Sequence, residues 1–61
     1  MYQFEIRRSE DGQWYWAFVC TQNGKDMGVS ETMHNRADVE AAVKTMQEHA
    51  VSAPVVIIDE K

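Results

Sequence analysis

The sequence has little of what usually stabilises or targets a short chain. Cys20 is the only cysteine among 61 residues, which excludes an intramolecular disulfide and a zinc site built from several thiolates. No apolar stretch approaches the roughly 20 residues that span a bilayer, and the N-terminus lacks the basic start and apolar run of a secretory signal. We therefore expect one cytoplasmic domain over residues 1–61, without membrane contact and with oligomerisation as its remaining source of stability.

Basic residues are also scarce, with six Lys and Arg against ten Asp and Glu and a formal net charge of −4. Proteins that bind the phosphate backbone normally carry a basic face, because counterion release supplies much of their affinity. The charge therefore argues against nucleic acid as the main partner. A weak nucleic-acid-binding protein stays an alternative if Arg7 and Arg8 gather on one face with their counterparts from a second chain.

Three segments have the residue pattern of β-strands. Residues 2–7 alternate apolar and polar side chains, residues 13–21 are rich in aromatic and β-branched side chains, and residues 26–31 form a weaker candidate. Gly12 lies in the first connection and Asn23 with Gly24 in the second, and both patterns are typical of tight hairpin turns. The sequence thus predicts three consecutive strands joined by short turns.

The second predicted strand has two different faces. We expect one face to anchor the core, because it carries the aromatic residues and the cysteine: Trp14, Trp16, Phe18 and Cys20. The other face carries Tyr15, Ala17 and Val19 beside Arg7 of the first strand. Tyr15 and Arg7 are the candidate binding residues, since an exposed aromatic on a sheet can stack a ring-containing ligand. A mixed solvent face, or one covered by a second subunit, is the simpler interpretation.

A helical period begins after Asn35, the predicted N-cap. The apolar stripe predicts a helix over residues 36–50, and its members are Val39, Ala42, Val43, Met46 and Ala50. Pro54 ends the helical pattern. Four β-branched residues then follow in a row, and we call them the C-terminal segment: Val55, Val56, Ile57 and Ile58. Because a strand with apolar side chains on both faces cannot stay exposed, we expect this segment to be covered and to form a dimer interface.

No residue pattern indicates catalysis, a cofactor or a metal ion. Cys20 has no base beside it in the pattern and is interpreted as a core cysteine. Ser30 and Glu31 lack the neighbours of a serine nucleophile, and we expect them to end the third strand and organise the turn that follows. His34 and His49 lie near opposite ends of the helix, too far apart in sequence to share one ion readily.

The order of these features resembles the YegP-like family of small domains of unknown function. The resemblance covers residues 2–58, and its most specific positions, besides the helix stripe, are Phe4, Gly12, Trp16, Asn23-Gly24 and Ser30-Glu31. Two departures stand out. Met33 occupies a position that is usually aromatic in the family, and Tyr15, Ala17 and Val19 replace the basic residues that relatives carry on the outer face of the second strand.

The resemblance implies a β-β-β-α-β unit that associates in pairs and exchanges its last strand. We therefore expect an α+β fold, with an antiparallel sheet packed on one helix, and a homodimer with swapped C-terminal strands. The expected function is that of a non-enzymatic module, without cofactor, that binds a protein or a small ligand on its sheet. An enzyme with a site at the dimer seam is a further alternative, because groups from two chains could combine there.

Overall fold

The computed structural model describes residues 1–59 and contains a three-stranded antiparallel sheet followed by one helix. The strands are β1 (Tyr2–Arg8), β2 (Trp14–Cys20) and β3 (Lys25–Val29), and β2 is the central strand. The helix α1 (Arg36–His49) continues into a 3₁₀ helix at Ala50–Ser52. These elements confirm the α+β class and the predicted order of three strands and a helix.

Both hairpin turns depend on a glycine with positive φ. Gly12 has a φ of 85° and donates its N–H to the carbonyl of Ser9 at 3.0 Å. Gly24 has a φ of 71°, and the side-chain oxygen of Asn23 accepts a hydrogen bond from the N–H of Lys25 at 3.0 Å. Since other residue types rarely adopt these angles, the two glycines fix the turns that sequence analysis predicted.

The pairing of β2 with β3 contains a β-bulge. Phe18 pairs with Gly28 while its neighbour Val19 pairs with Asp26, so Met27 has no partner on β2. A bulge of this kind places successive residues of the bulged strand on the same side of the sheet. Met27 and Gly28 consequently line the same apolar cavity, as described below.

Residues after β3 continue to pair with the central strand. Trp14 and Met33 exchange two backbone hydrogen bonds, at 2.8 and 2.6 Å. The helix then begins after Asn35, whose backbone is extended as an N-cap requires, but whose side chain makes no capping hydrogen bond. Asp38 lies in the first turn, where its charge is favourable near the positive end of the helix dipole.

The helix lies over the aromatic face of the sheet, as the sequence predicts. The guanidinium of Arg36, at the start of the helix, is 5.6 Å from the ring centroid of Trp14. Near the other end, Met46 lines the same cavity as Trp16. Val39 and Val43 are the buried helix residues, at 0% and 9% exposure. The predicted stripe therefore provides the helix side of the core, although the tryptophans remain only partly buried.

The opposite face of the sheet is more deeply buried than expected. Ala17 is 0% exposed and Val19 is 3% exposed. The interpretation of this face as a mixed solvent face, or one covered by a second subunit, is wrong at these two positions. Both are buried within a single chain, and the side chains that lie over Ala17 are described below.

The fourth strand predicted for the C-terminal segment is not formed in the single chain. Its residues have no regular secondary structure, and exposure is 90% for Val55, 70% for Val56, 90% for Ile57 and 74% for Ile58. A strand requires hydrogen bonds from a neighbouring edge, and the segment pairs with no strand of the sheet, although the backbone at Ala53 is extended. Within residues 1–59, no helix is long and apolar enough to cross a membrane.

Candidate binding surfaces

The side chain of Arg7 joins the two outer strands of the sheet. Its Nε and Nη2 donate to Oε1 of Glu5 at 2.9 and 2.7 Å. Its Nη1 and Nη2 donate to the carboxylate of Asp26 at 3.2 and 3.0 Å. We refer to Glu5, Arg7 and Asp26 as the arginine bridge, since it connects β1 with β3.

The arginine bridge passes over Ala17 of the central strand. In the strand register, Glu5 is opposite Ala17, and Asp26 is opposite Val19, two residues further along β2. A line from Arg7 to Asp26 therefore crosses β2 at Ala17. A methyl side chain leaves room for the guanidinium above it. Because long polar side chains cover apolar groups with their stems, the bridge accounts for the burial of Ala17.

The hydrogen bonds of the bridge also shift the pKa values of Glu5 and Arg7. Hydrogen bonds from Arg7, and then from Gln3, lower the pKa of Glu5. The pKa of Arg7 is raised, first by Asp26, then by Glu5 and Tyr15. Both shifts favour the charged forms of Glu5 and Arg7, as expected for an ion pair between them.

The structure brings the two candidate binding residues together. Tyr15 is directly opposite Arg7 in the register of β1 and β2, and the two side chains interact. Tyr15 is half-buried, and the guanidinium of Arg7 already donates to two carboxylates. A ligand on this face would contact an Arg7 side chain that is already paired with two carboxylates. The binding role of Tyr15 and Arg7 stays a prediction.

Arg8 lies on the other face of the sheet from Arg7. It is paired with Trp14, and its guanidinium carbon is 5.4 Å from the centroid of the indole. Arg36 approaches the same ring at 5.6 Å, while also contacting Glu40 at 3.2 Å. Arg7 and Arg8 therefore do not share a face within a single chain, and a nucleic-acid-binding face built from two chains stays a prediction. No sequence pattern indicated Arg36 as a partner of Trp14, because this contact depends on how the helix packs on the sheet.

An apolar pocket opens between the sheet and the C-terminal end of α1. Its volume is about 280 Å³. Its lining is almost wholly apolar and comes from all three strands and the helix: Phe4, Trp16, Phe18, Met27, Gly28, Met46 and Ala50. Its aromatic rings contact one another: the centroids of Phe4 and Phe18 are 4.9 Å apart in a tilted pair, and those of Phe4 and Trp16 are 6.0 Å apart, edge to face. We refer to this cavity as the apolar pocket.

A family model described as a domain of unknown function, DUF1508, matches residues 9–56. The chain belongs to this family. The resemblance to the YegP-like family is consistent with that membership. No curated protein and no solved structure matches the chain.

Ser30 has a structural position in this DUF1508 domain. Its hydroxyl accepts a hydrogen bond from the N–H of Trp16 at 3.0 Å and donates to the carbonyl of Glu31 at 2.9 Å. Its own N–H donates to the carbonyl of Trp16 at 2.9 Å. These contacts close the end of β3 on the central strand, in agreement with the structural interpretation of Ser30.

The structure does not bring the remaining reactive side chains of the DUF1508 domain together. Cys20 is half-buried at the end of β2, next to Lys25 in the strand register. His49 is exposed at the end of the helix, with Nε2 4.0 Å from Glu48. Among residues 1–59, no three His, Cys, Asp or Glu side chains are grouped as metal ligands. An enzyme with a site at the dimer seam stays a prediction, since it needs groups from two chains.

Proposed function

We propose that this domain is a cytoplasmic, non-enzymatic homodimer that exchanges its C-terminal segments and binds a protein or small ligand on the resulting sheet. The observation that supports the exchange is the exposure of four consecutive β-branched side chains, between 70% and 90%. Contiguous exposed apolar residues on a folded protein indicate an interaction site. Since these residues also favour extended structure, an added β-strand is the form of contact they suit best.

The free energy gained by burying the side chains of the C-terminal segment supports a tight dimer. Burial of one Val or Ile side chain stabilises by about 1.5–3 kcal/mol, so burial of four gives on the order of 6–12 kcal/mol before opposing terms. Small domains have a net stability of only a few kcal/mol. We therefore expect folding and dimerisation of the 61-residue chain to be strongly coupled.

The binding role rests on the paired sheets that such a dimer would form. In each chain Tyr15 and Arg7 lie side by side on the face away from the helix. A dimer would present two copies of this pair related by symmetry. The non-enzymatic part of the proposal is supported by the engagement of the Ser30 hydroxyl in two backbone hydrogen bonds.

Light scattering across a dilution series tests the assembly. We expect a mass of twice 7.0 kDa for the wild-type chain. Ile57→Asp should abolish the dimer or unfold the protein, because it would bury an unpaired carboxylate. Val51→Asp, which changes a side chain that is 98% exposed and outside the segment, is the matched control. A well-folded wild-type monomer at low micromolar concentration, or an Ile57→Asp variant with unchanged mass and Tm, would overturn the proposal.

A further inference from the structure

We infer that Arg8 and Arg36, which both contact the indole of Trp14, form a binding site for a small phosphate, either the free ion or a monoester. We refer to these three residues as the arginine–tryptophan cluster. The cluster lies on the helix side of the sheet, so it is separate from the pair of Tyr15 and Arg7 and goes beyond the proposed function. It is formed within one chain and does not require the dimer.

The cluster brings two cations together in a chain that is acidic as a whole. The guanidinium carbons of Arg8 and Arg36 lie 5.4 and 5.6 Å from the centroid of the Trp14 ring, so they are separated by at most the sum of these distances. Like charges this close repel each other. Arg36 is also the first residue of α1, where the helix dipole is positive. An anion bound by both guanidiniums would offset this repulsion.

The side chain of Arg8 is exposed and forms no ion pair within the part of the chain that the structure describes. Asp11, in the turn that follows β1, accepts a hydrogen bond from the N–H of Gln13 at 3.3 Å instead. Arg8 is held beside Trp14 and the turn, since a Cβ atom placed on Gly12 would lie 3.8 Å from its Nη2. Contact with the face of a ring occupies no N–H donor, so the edge of the guanidinium stays available to an anion.

Arg36 has an acidic partner, but the pair is a weak one. Its Nε is 3.2 Å from Glu40, and the two side chains are 62% and 53% exposed. Asp38 is two positions from Arg36 and therefore faces a different side of the helix. Exposed ion pairs contribute little to stability, because water and salt screen them. A more highly charged anion can therefore displace Glu40 from Arg36.

Phosphate is the anion that suits two guanidiniums best. A phosphate monoester carries a charge of about −1.5 to −2 at neutral pH and three strong acceptor oxygens, whereas a carboxylate carries one charge and two oxygens. Arginine can donate to phosphate through two parallel N–H groups. A long polyanion is a poorer match, because the net charge of −4 on the whole chain repels it beyond the cluster. The cluster therefore suits a small phosphate rather than a nucleic acid.

NMR of the isotope-labelled full chain, titrated at neutral pH with inorganic phosphate and with methyl phosphate, tests the site. We expect saturable shifts of the side-chain N–H signals of Arg8, Arg36 and Trp14. Binding of methyl phosphate supports a monoester as the ligand, and binding of inorganic phosphate alone supports the free ion. The absence of saturable shifts with both probes, or equal affinity for acetate, would overturn the inference. Tighter binding of a single-stranded oligonucleotide than of methyl phosphate would overturn the assignment to a small phosphate.

Three substitutions distinguish a phosphate site from two arginines that only pack on a tryptophan. Arg8→Gln should weaken phosphate binding about tenfold or more, since it removes charge-assisted hydrogen bonds. Glu40→Gln should tighten binding about threefold, because Arg36 loses its competing partner. Lys25→Gln is the matched control, because it makes the same change in net charge as Arg8→Gln at an exposed position beside the other end of β2 from Trp14. Equal weakening by these two variants, with each amide spectrum still that of a folded chain, would show unspecific attraction and overturn the site.

Discussion

The guanidinium of Arg7 on β1 reaches the carboxylate of Asp26 on β3 at 3.0 and 3.2 Å, across the central strand. Ala17 lies beneath this contact and has no exposed surface. Surface ion pairs contribute little to stability when they stand alone. In this domain the pair also covers an apolar position that the helix, on the other face, cannot reach.

The first prediction concerns the size of the residue beneath the bridge. Ala17→Leu adds methylene groups where the guanidinium passes, so we expect separation of Arg7 from Asp26 and a loss of about 1–3 kcal/mol of unfolding free energy. Urea denaturation at fixed protein concentration measures the change. Ala41→Leu, at an exposed helix position, is the control and should stay close to wild type. Equal stability of the two variants would contradict the proposed cover over Ala17.

The second prediction concerns acid stability. Because Arg7 lowers the pKa of Glu5 in the folded state, the unfolded chain binds a proton at this site more readily than the folded chain. The stabilisation from Glu5 is therefore fully present above its ordinary pKa of 4.5 and is lost as the pH falls through the lower, folded-state value. Glu5→Gln removes the titrating group, so its stability should fall less steeply over the same acidic range.

Thermal unfolding of Glu5→Gln and wild type, from neutral pH down through this acidic range, measures the difference. At neutral pH the variant should be the less stable protein, since the charged hydrogen bonds to Arg7 are weakened. On acidification the two Tm values should converge. Parallel curves, with a constant separation at every pH, would show that the Glu5 pKa is not coupled to folding.

The third prediction concerns the end of β3. Ser30→Ala removes the hydroxyl that accepts from the N–H of Trp16, and leaving a partly buried donor without a partner costs about 1–3 kcal/mol. Hydrogen exchange at the Trp16 amide should accelerate by a corresponding factor. Ser30→Thr keeps the hydroxyl and should retain protection. Ser52→Ala is the matched control, because that hydroxyl bonds a carbonyl at an exposed position.

The parts of this fold that local patterns determine were predictable. Gly12 and Gly24 adopt the positive φ that their turns imply, and Val39 and Val43 are buried as the helical spacing predicts. These features depend on residues that are close in sequence. Local preference therefore agrees with the tertiary structure at each of them.

The features that were missed depend on contacts between distant residues. Arg7 and Asp26 are separated by 19 positions, and their contact requires both the strand order and a small residue at position 17. The apolar pocket depends on the β-bulge at Met27, and no sequence pattern predicted this bulge. The closing strand was predicted from β-propensity, but strand formation also needs pairing with a neighbouring edge, and in the single chain the C-terminal segment pairs with neither outer strand.

The last prediction compares two valines that differ in burial but not in chemistry. Val39 is 0% exposed on the side of α1 that packs on the aromatic face of the sheet, whereas Val51 is 98% exposed in the 3₁₀ helix. Val39→Ala removes two buried carbon atoms and leaves a cavity, so we expect a loss of about 1.5–3 kcal/mol. In a domain of this size each kcal/mol corresponds to about 4–8 °C in Tm.

Val51→Ala should change the Tm little, because its side chain has almost no contacts to lose. Differential scanning calorimetry at one protein concentration measures both variants. Comparable Tm losses for the two would mean that the helix does not pack on the aromatic face as the structure shows, since only packing distinguishes these positions.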